Sequence, residues 1–154
     1  MDRDANFGSK GRGLENNWQC LKDDSAVDME SGPIARVAVT RASVPDAKGL
    51  ARVCPRGGEA TADKAWCGRD ALGTIRARGC EERAIERNNM KDKDWKRDAG
   101  IAKKRMPLER AFSERPSRPR YIGLEKARFQ VAAFAMARNF KRLVALNVER
   151  APIA

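Results

Sequence analysis

Three side chains have types and placements that could do chemistry: Asp63, Arg105 and Glu109. Asp63 closes the run Ala60-Thr61-Ala62-Asp63, a short strand ending in an acid. Open α/β sheets place their ligands at strand ends, and the same position equally suits an ordinary turn or capping Asp. Glu109 lies in Arg105-Met106-Pro107-Leu108-Glu109-Arg110-Ala111-Phe112. On a helix, Arg105 and Glu109 stand four apart and face the same side. A plain surface ion pair there contributes roughly 0.3–0.5 kcal/mol. Neither acid by itself decides between a site and a surface.

Around these residues the chain is basic. From Lys96 to Arg128 there are 11 Lys or Arg and 4 Asp or Glu, and seven of the 11 are Arg. Arg suits bidentate phosphate contacts. Lys103, Lys104, Arg110, Arg115, Arg118 and Arg120 are the candidate DNA contacts, with Tyr121 beside the Arg cluster. The whole chain carries +11 over 154 residues. Such a surplus favours a polyanion partner without choosing among DNA, RNA and an anionic membrane. The alternative is a solvated basic face with no nucleic-acid role.

Composition excludes other chemistries. There is no His, which removes Ser-His-Asp and Cys-His catalysis and imidazole metal ligands. Cys20, Cys54, Cys67 and Cys80 form no C-x-x-C pair, so a structural zinc site is not expected. The opening residues carry no signal peptide, and reduced thiols in a cytoplasmic protein are expected. The apolar stretch Phe129–Ala137 falls far short of the roughly 20 residues of a membrane span.

The elements that must position these residues follow from period and turn chemistry. Residues 1–17 are polar and Gly-rich and read as a flexible segment. Residues 18–40 predict an antiparallel hairpin: Trp18–Asp28, a turn at Glu30-Ser31-Gly32-Pro33, then the β-branched run Ile34–Thr40. Residues 59–63 predict a strand beside that hairpin. Asp46 predicts a capped helix to Val53; Asp70–Arg78 predicts a second helix, closed by Gly79. Cys80–Ile85 reads as a further strand and residues 86–104 mostly as loop. Arg105–Arg115 reads as a helix broken by Pro116 and Pro119. Tyr121–Asn147 is the clearest helix, its apolar arc wide enough to predict extensive burial. Residues 148–154 read as a tail. With aromatics at only 6%, Trp18, Trp66, Trp95 and the five Phe are the expected anchors of an aliphatic core. The order of elements is α/β.

Several short motifs, in order, resemble bacterial insertion-sequence DDE transposases. Asp2-Arg3-Asp4-Ala5 and Gly8-Ser9-Lys10-Gly11 resemble a stretch near the middle of those proteins. Lys22 with Val27-Asp28 and Ser31-Gly32 resembles the next hairpin, and Val39-Thr40-Arg41-Ala42-Ser43-Val44-Pro45-Asp46 the block after it. Ala62-Asp63-Lys64-Ala65-Trp66 resembles the block carrying the second catalytic Asp. Arg105–Phe112 resembles the block carrying the catalytic Glu. Arg120-Tyr121-Ile122-Gly123-Leu124, with Asn139-Phe140-Lys141-Arg142-Leu143, resembles the family's C-terminus. The series covers about residues 2–147.

The resemblance implies an incomplete ribonuclease H-like domain over residues 18–147. It implies metal-dependent phosphodiester cleavage and strand transfer at transposon ends and target DNA, in the bacterial cytosol or nucleoid. Mg²⁺ or Mn²⁺ would be held by Asp63 and Glu109, with Arg105 contacting or orienting the acid. It also implies that the family's first catalytic Asp lies upstream of residue 1. Pro116 stands where the family usually has Lys, and Asp24 and Pro45 stand where His is common. The expectation is therefore a truncated transposase-like protein, inactive alone and able to self-associate. The alternatives are a non-catalytic basic DNA- or RNA-binding protein and a decayed reading frame.

Overall fold

The β-branched run Ile34–Thr40 builds the strand its pattern predicts. The computed structural model describes residues 3–9, 17–88, 90–115 and 120–150, apart from the side chains of Ser9, Asn17, Trp18 and Arg150. Arg118, Pro116, Pro119 and residues 151–154 of the expected tail lie outside the described residues. Strand β1 (Asn6–Ser9) pairs antiparallel with the start of β2 (Asn17–Val27), from Asn6↔Cys20 to Ser9↔Asn17. β2 then pairs antiparallel with β3 (Ile34–Arg41), from Leu21↔Arg41 to Val27↔Ile34. The expected hairpin is present. The 1–17 segment, read as loop, contributes β1.

The hairpin turn is closed by its own chemistry. Gly32 takes φ +91°, where a side chain would be strained, and its N–H donates to Asp28 O at 2.9 Å. The Ser31 hydroxyl and the Glu30 N–H both donate to the Asp28 carboxylate, holding its pKa below the usual range.

Helix α1 (Asp46–Val53) packs on the hairpin. Asp46 does not cap it: Pro45 holds the cap position without a side-chain bond, and Asp46 pairs instead with Lys22 at 2.7 Å. β4 (Gly58–Ala62), the turn Lys64–Trp66, α2 (Arg69–Ala77) and β5 (Cys80–Ala84) follow. β4 and β5 pair in parallel from Gly58↔Cys80 to Ala62↔Ala84. α2 is the crossover that a parallel pair requires. Leu50, Cys54, Ala71, Ile75 and Cys80 form the buried cluster between these elements. Burial, then the neighbouring Cys80, pushes the Cys54 thiol pKa up.

β4 does not pair with the hairpin. Among the described residues there are two sheets, β1-β2-β3 and β4-β5, with no ladder between them. The reading of residues 86–104 as loop is also corrected. α3 (Trp95–Lys104) forms there, capped by Asp94, whose side chain accepts from Arg97 N–H at 2.9 Å. Its inward face carries Asp98, buried and paired with the buried Lys93 at 3.1 Å. Two charges had concealed a buried stripe.

α4 (Met106–Ser113) and α5 (Leu124–Arg150) complete the fold. Asp4 caps α5 by accepting from Leu124 N–H at 2.9 Å. α5 packs on β3 through polar groups. The Asn139 carboxamide accepts from Ile34 N–H at 2.7 Å and donates to Ile34 O at 2.8 Å. Arg138 and Arg142 donate to the turn carbonyls of Gly32 and Ser31 at 2.7 and 2.8 Å. The expected extensive burial of this helix is corrected: Phe129, Met136, Phe140, Leu143 and Val148 are exposed, and Ala127 and Ala135 face inward. Phe7 and Trp95 are exposed as well, whereas Trp66 packs half-buried against the core cluster, so of the expected anchors Phe7, Trp95, Phe129 and Phe140 are corrected. Residues 148–150, expected as tail, continue the helix. No helix among the described residues is long and apolar enough to cross a membrane. The architecture is mixed α/β.

Candidate functional site

Asp63 sits one residue beyond β4, with extended backbone, and caps the turn Lys64–Trp66 by accepting from Lys64 N–H at 2.5 Å. It is thus both a strand-end acid and a capping residue. Glu109 lies in the first turn of α4, where a carboxylate is favoured by the helix dipole. Arg105 is the junction between α3 and α4, and its N–H is satisfied by the carbonyls of Ile101 and Ala102.

The fold brings these three together. Arg105 Nη1 lies 3.6 Å from Asp63 Oδ1, and Nη2 donates to Glu109 Oε1 at 3.2 Å. The guanidinium side chain is 12% exposed; the Asp63 and Glu109 side chains are 60% and 63% exposed. Both carboxylates therefore present oxygens to solvent from either side of a half-hidden cation. Pairs with partners this exposed are worth roughly 0–1 kcal/mol each. Arg105 Nε is buried with no hydrogen-bond partner among the described residues. Among the described residues no group of three or more His, Cys, Asp or Glu is arranged to hold a metal.

Asp63 and Arg105 line a cavity of about 300 Å³ between β2 and β4. Its wall carries Asp23, which sequence reasoning passed over, and Asp24, which it noted only as standing where His is common. Strand alternation sends them to opposite faces. Asp23 meets Arg115; Asp24 meets α1, where a Cβ on Gly49 would stand only 2.2 Å from Asp24 Oδ2. Gly49 is thus required by close approach. Burial, then the charge of Asp46, raises the Asp24 pKa; Lys22 and Arg52 oppose this in part and Asp23 adds to it. Two adjacent acids within the strand NWQCLKDDSAV were the signal available in the sequence.

The basic candidates separate into two kinds. Lys103, Lys104, Arg110 and Arg120 are exposed. Lys104 also lies 3.5 Å from Glu59. Arg115 is turned inward instead: its side chain is 14% exposed, pairs with Asp23, and donates to the Ser25 hydroxyl at 2.6 Å. It stacks over Phe112 at 4.5 Å. An Arg held this way clamps α4 to the hairpin and has little surface left for phosphate. No protein-family model matches the chain, nor does any curated protein or solved structure.

Proposed function

We propose that this chain is a DNA-binding protein of the insertion-sequence transposase kind, built on an incomplete ribonuclease H-like domain. The observation that supports the reading is the meeting of Asp63 and Glu109, distant in sequence, on the guanidinium of Arg105. Carboxylate oxygens are the hard donors that Mg²⁺ and Mn²⁺ prefer, so the donor type fits a divalent ion. Asp63 and Glu109 would hold it, and Arg105 would have to yield its contacts. When bound, such an ion supplies Lewis-acid activation of an oxygen nucleophile or leaving group.

The chain's own residues have separable tasks. The Lys64 N–H orients Asp63. Arg105 neutralises both acids while no cation is present, and the exposed Lys103, Lys104, Arg110 and Arg120 meet phosphates at transposon ends or target DNA. Two acids leave a two-metal clamp unfinished, so this chain alone binds DNA and a divalent ion without transferring strands.

The test is Mn²⁺ binding, followed as the loss of the free-ion resonance. Asp63→Asn and Glu109→Gln should each weaken binding about fivefold or more, with the circular dichroism spectrum unchanged. Equal affinity in all three proteins would remove the site. A second reading, a non-catalytic nucleic-acid-binding protein, is favoured by Arg105 already neutralising the pair. It predicts DNA binding with no response to Mn²⁺.

A further inference from the structure

Helix α5 addresses the hairpin with Ala135, Arg138, Asn139 and Arg142. A different face carries Phe129, Ala133, Met136, Phe140, Leu143 and Asn147. These six alternate by four and three residues, the a/d repeat of a seam between two helices. The row runs roughly 27 Å along the helix. Phe129, Met136, Phe140 and Leu143 are 66%, 64%, 70% and 54% exposed. Together they offer on the order of 500 Å² of apolar surface, the scale of patch that marks an interaction site. The polar bonds of Arg138, Asn139 and Arg142 to the hairpin fix the rotation of the helix, so the row cannot turn inward.

The margins of the row point to its occupant. Gln130, Ala137 and Val144 flank it on one side, and Ala132, Asn139 and Leu146 on the other. None is charged. The charged residues between 129 and 147 are Arg138, Lys141 and Arg142, and all three lie off the row and its margins. A seam that selects a different helix uses charges at these flanking positions. A helix that lies on an anionic membrane lines its apolar face with bases. Two copies of a chain with net charge +11 repel one another, so a neutral margin is what their contact requires.

The row is also its own complement when run antiparallel. With Met136 opposite Phe140 of a second copy, Ala133 falls opposite Leu143 and Phe129 opposite Asn147. Small or polar side chains thus meet large ones, and the Met136 thioether meets a ring. This register keeps all six positions of both rows in contact. Ala137 meets its own copy beside the axis and is small enough for helices to approach to about 8–10 Å. Two such rows bury roughly 1,000 Å², the lower bound for a specific interface.

We propose that the outer face of α5 binds a second copy of this chain, as an antiparallel helix pair about a two-fold axis between Met136 and Phe140. The interface is small, so the dimer is reversible and forms at micromolar concentration. The proposal is independent of the roles given to Asp63, Glu109 and the exposed bases.

Sedimentation equilibrium on the full chain should show a monomer–dimer equilibrium across the micromolar range. Met136→Lys and Phe140→Glu should each weaken it about tenfold or more, because each sets a charge against an apolar side chain. Val148→Asp alters an equally exposed apolar residue off the row and should leave it unchanged. Mixing the Met136→Lys and Phe140→Glu chains is the decisive step. In the antiparallel register the mixed dimer sets the new base against the new acid in one layer and keeps the native Met–Phe contact in the other. It should be about tenfold or more tighter than either variant's own dimer. A parallel pair would gain nothing from mixing, and that result overturns the proposal. So does a chain that stays monomeric, or an equal loss in Val148→Asp. A monomer that co-sediments with anionic phospholipid vesicles, and ceases to in Phe140→Glu, would give the face to a membrane instead. Both substituted side chains are exposed, so far-UV circular dichroism should be unchanged. Loss of folding in either variant would place the row inside a single chain and also overturn the proposal.

Discussion

Asp63 and Glu109 are linked through a single guanidinium, Arg105, which reaches one with Nη1 at 3.6 Å and the other with Nη2 at 3.2 Å. That cation and a divalent ion compete for the same oxygens. Arg105→Gln should therefore tighten Mn²⁺ binding, by about three- to tenfold for charges as exposed as these. Calorimetric titration checks it. Unchanged or weaker binding would show that the two acids do not act as a pair.

Charge reversal of Lys103, Lys104 and Arg110 should weaken DNA binding and flatten its salt dependence. Each lost phosphate contact lowers the slope of log K against log salt by about one unit. Fluorescence anisotropy between low and moderate salt gives the slope. An unchanged slope would make these residues only a solvated face.

Arg115→Ala should act on stability instead. It leaves Asp23 and Ser25 facing a gap and removes the stack on Phe112. The cost should be about 2 kcal/mol in urea unfolding, below the fully buried range because 26% of the Asp23 side chain remains exposed. A normal unfolding midpoint with lost DNA affinity would return Arg115 to the contact surface.

Asn139→Ala should also destabilise, by about 1–3 kcal/mol, because it strips a donor and an acceptor from the backbone of buried Ile34. Asn139→Asp keeps only the acceptor and should fall between. Equal midpoints for all three proteins would show that the α5–hairpin latch carries no energy.

The Asp24 carboxyl has a folded pKa above its ordinary 3.8. The folded state therefore holds a proton that the unfolded state has released, so its contribution declines as pH rises from 3.8 through the folded value. Asp24→Asn keeps the neutral form at every pH. Its stability relative to the parent should rise between pH 4 and pH 7, as read by thermal melts. A flat difference would mean that ionised Asp24 is not penalised.

The hairpin was legible because its causes are local: a β-branched run and a Gly-Pro turn. The helix over 106–113 and the shared face of Arg105 and Glu109 were legible for the same reason. The partner of β4 was not, since β4 could pair with β2 or β5 on equal local terms and the choice lies in how α1 and α2 pack. α3 was hidden because Asp98 and Lys93, which read as solvated charges, are buried against each other. The period of α5 was plain, but its orientation was not. Arg138, Asn139 and Arg142 bind the hairpin turn, and that holds Phe129, Met136 and Phe140 outward. The inward turn of Arg115 depends on Asp23, far away in sequence, and composition makes it indistinguishable from Arg110.

The burial of Cys54 and Cys80 beside half-buried Cys20 and Cys67 gives the molecule a built-in clock. Thiolate is the form that reacts with an aromatic disulfide reagent, and a raised pKa leaves Cys54 little of it. Cys20 and Cys67 should be modified first, in one rapid phase. Cys54 and Cys80 bridge the end of α1 and the start of β5, so their modification must wait until those elements part. The slow phase thus counts openings of the molecule's centre directly, without denaturant and without any introduced label.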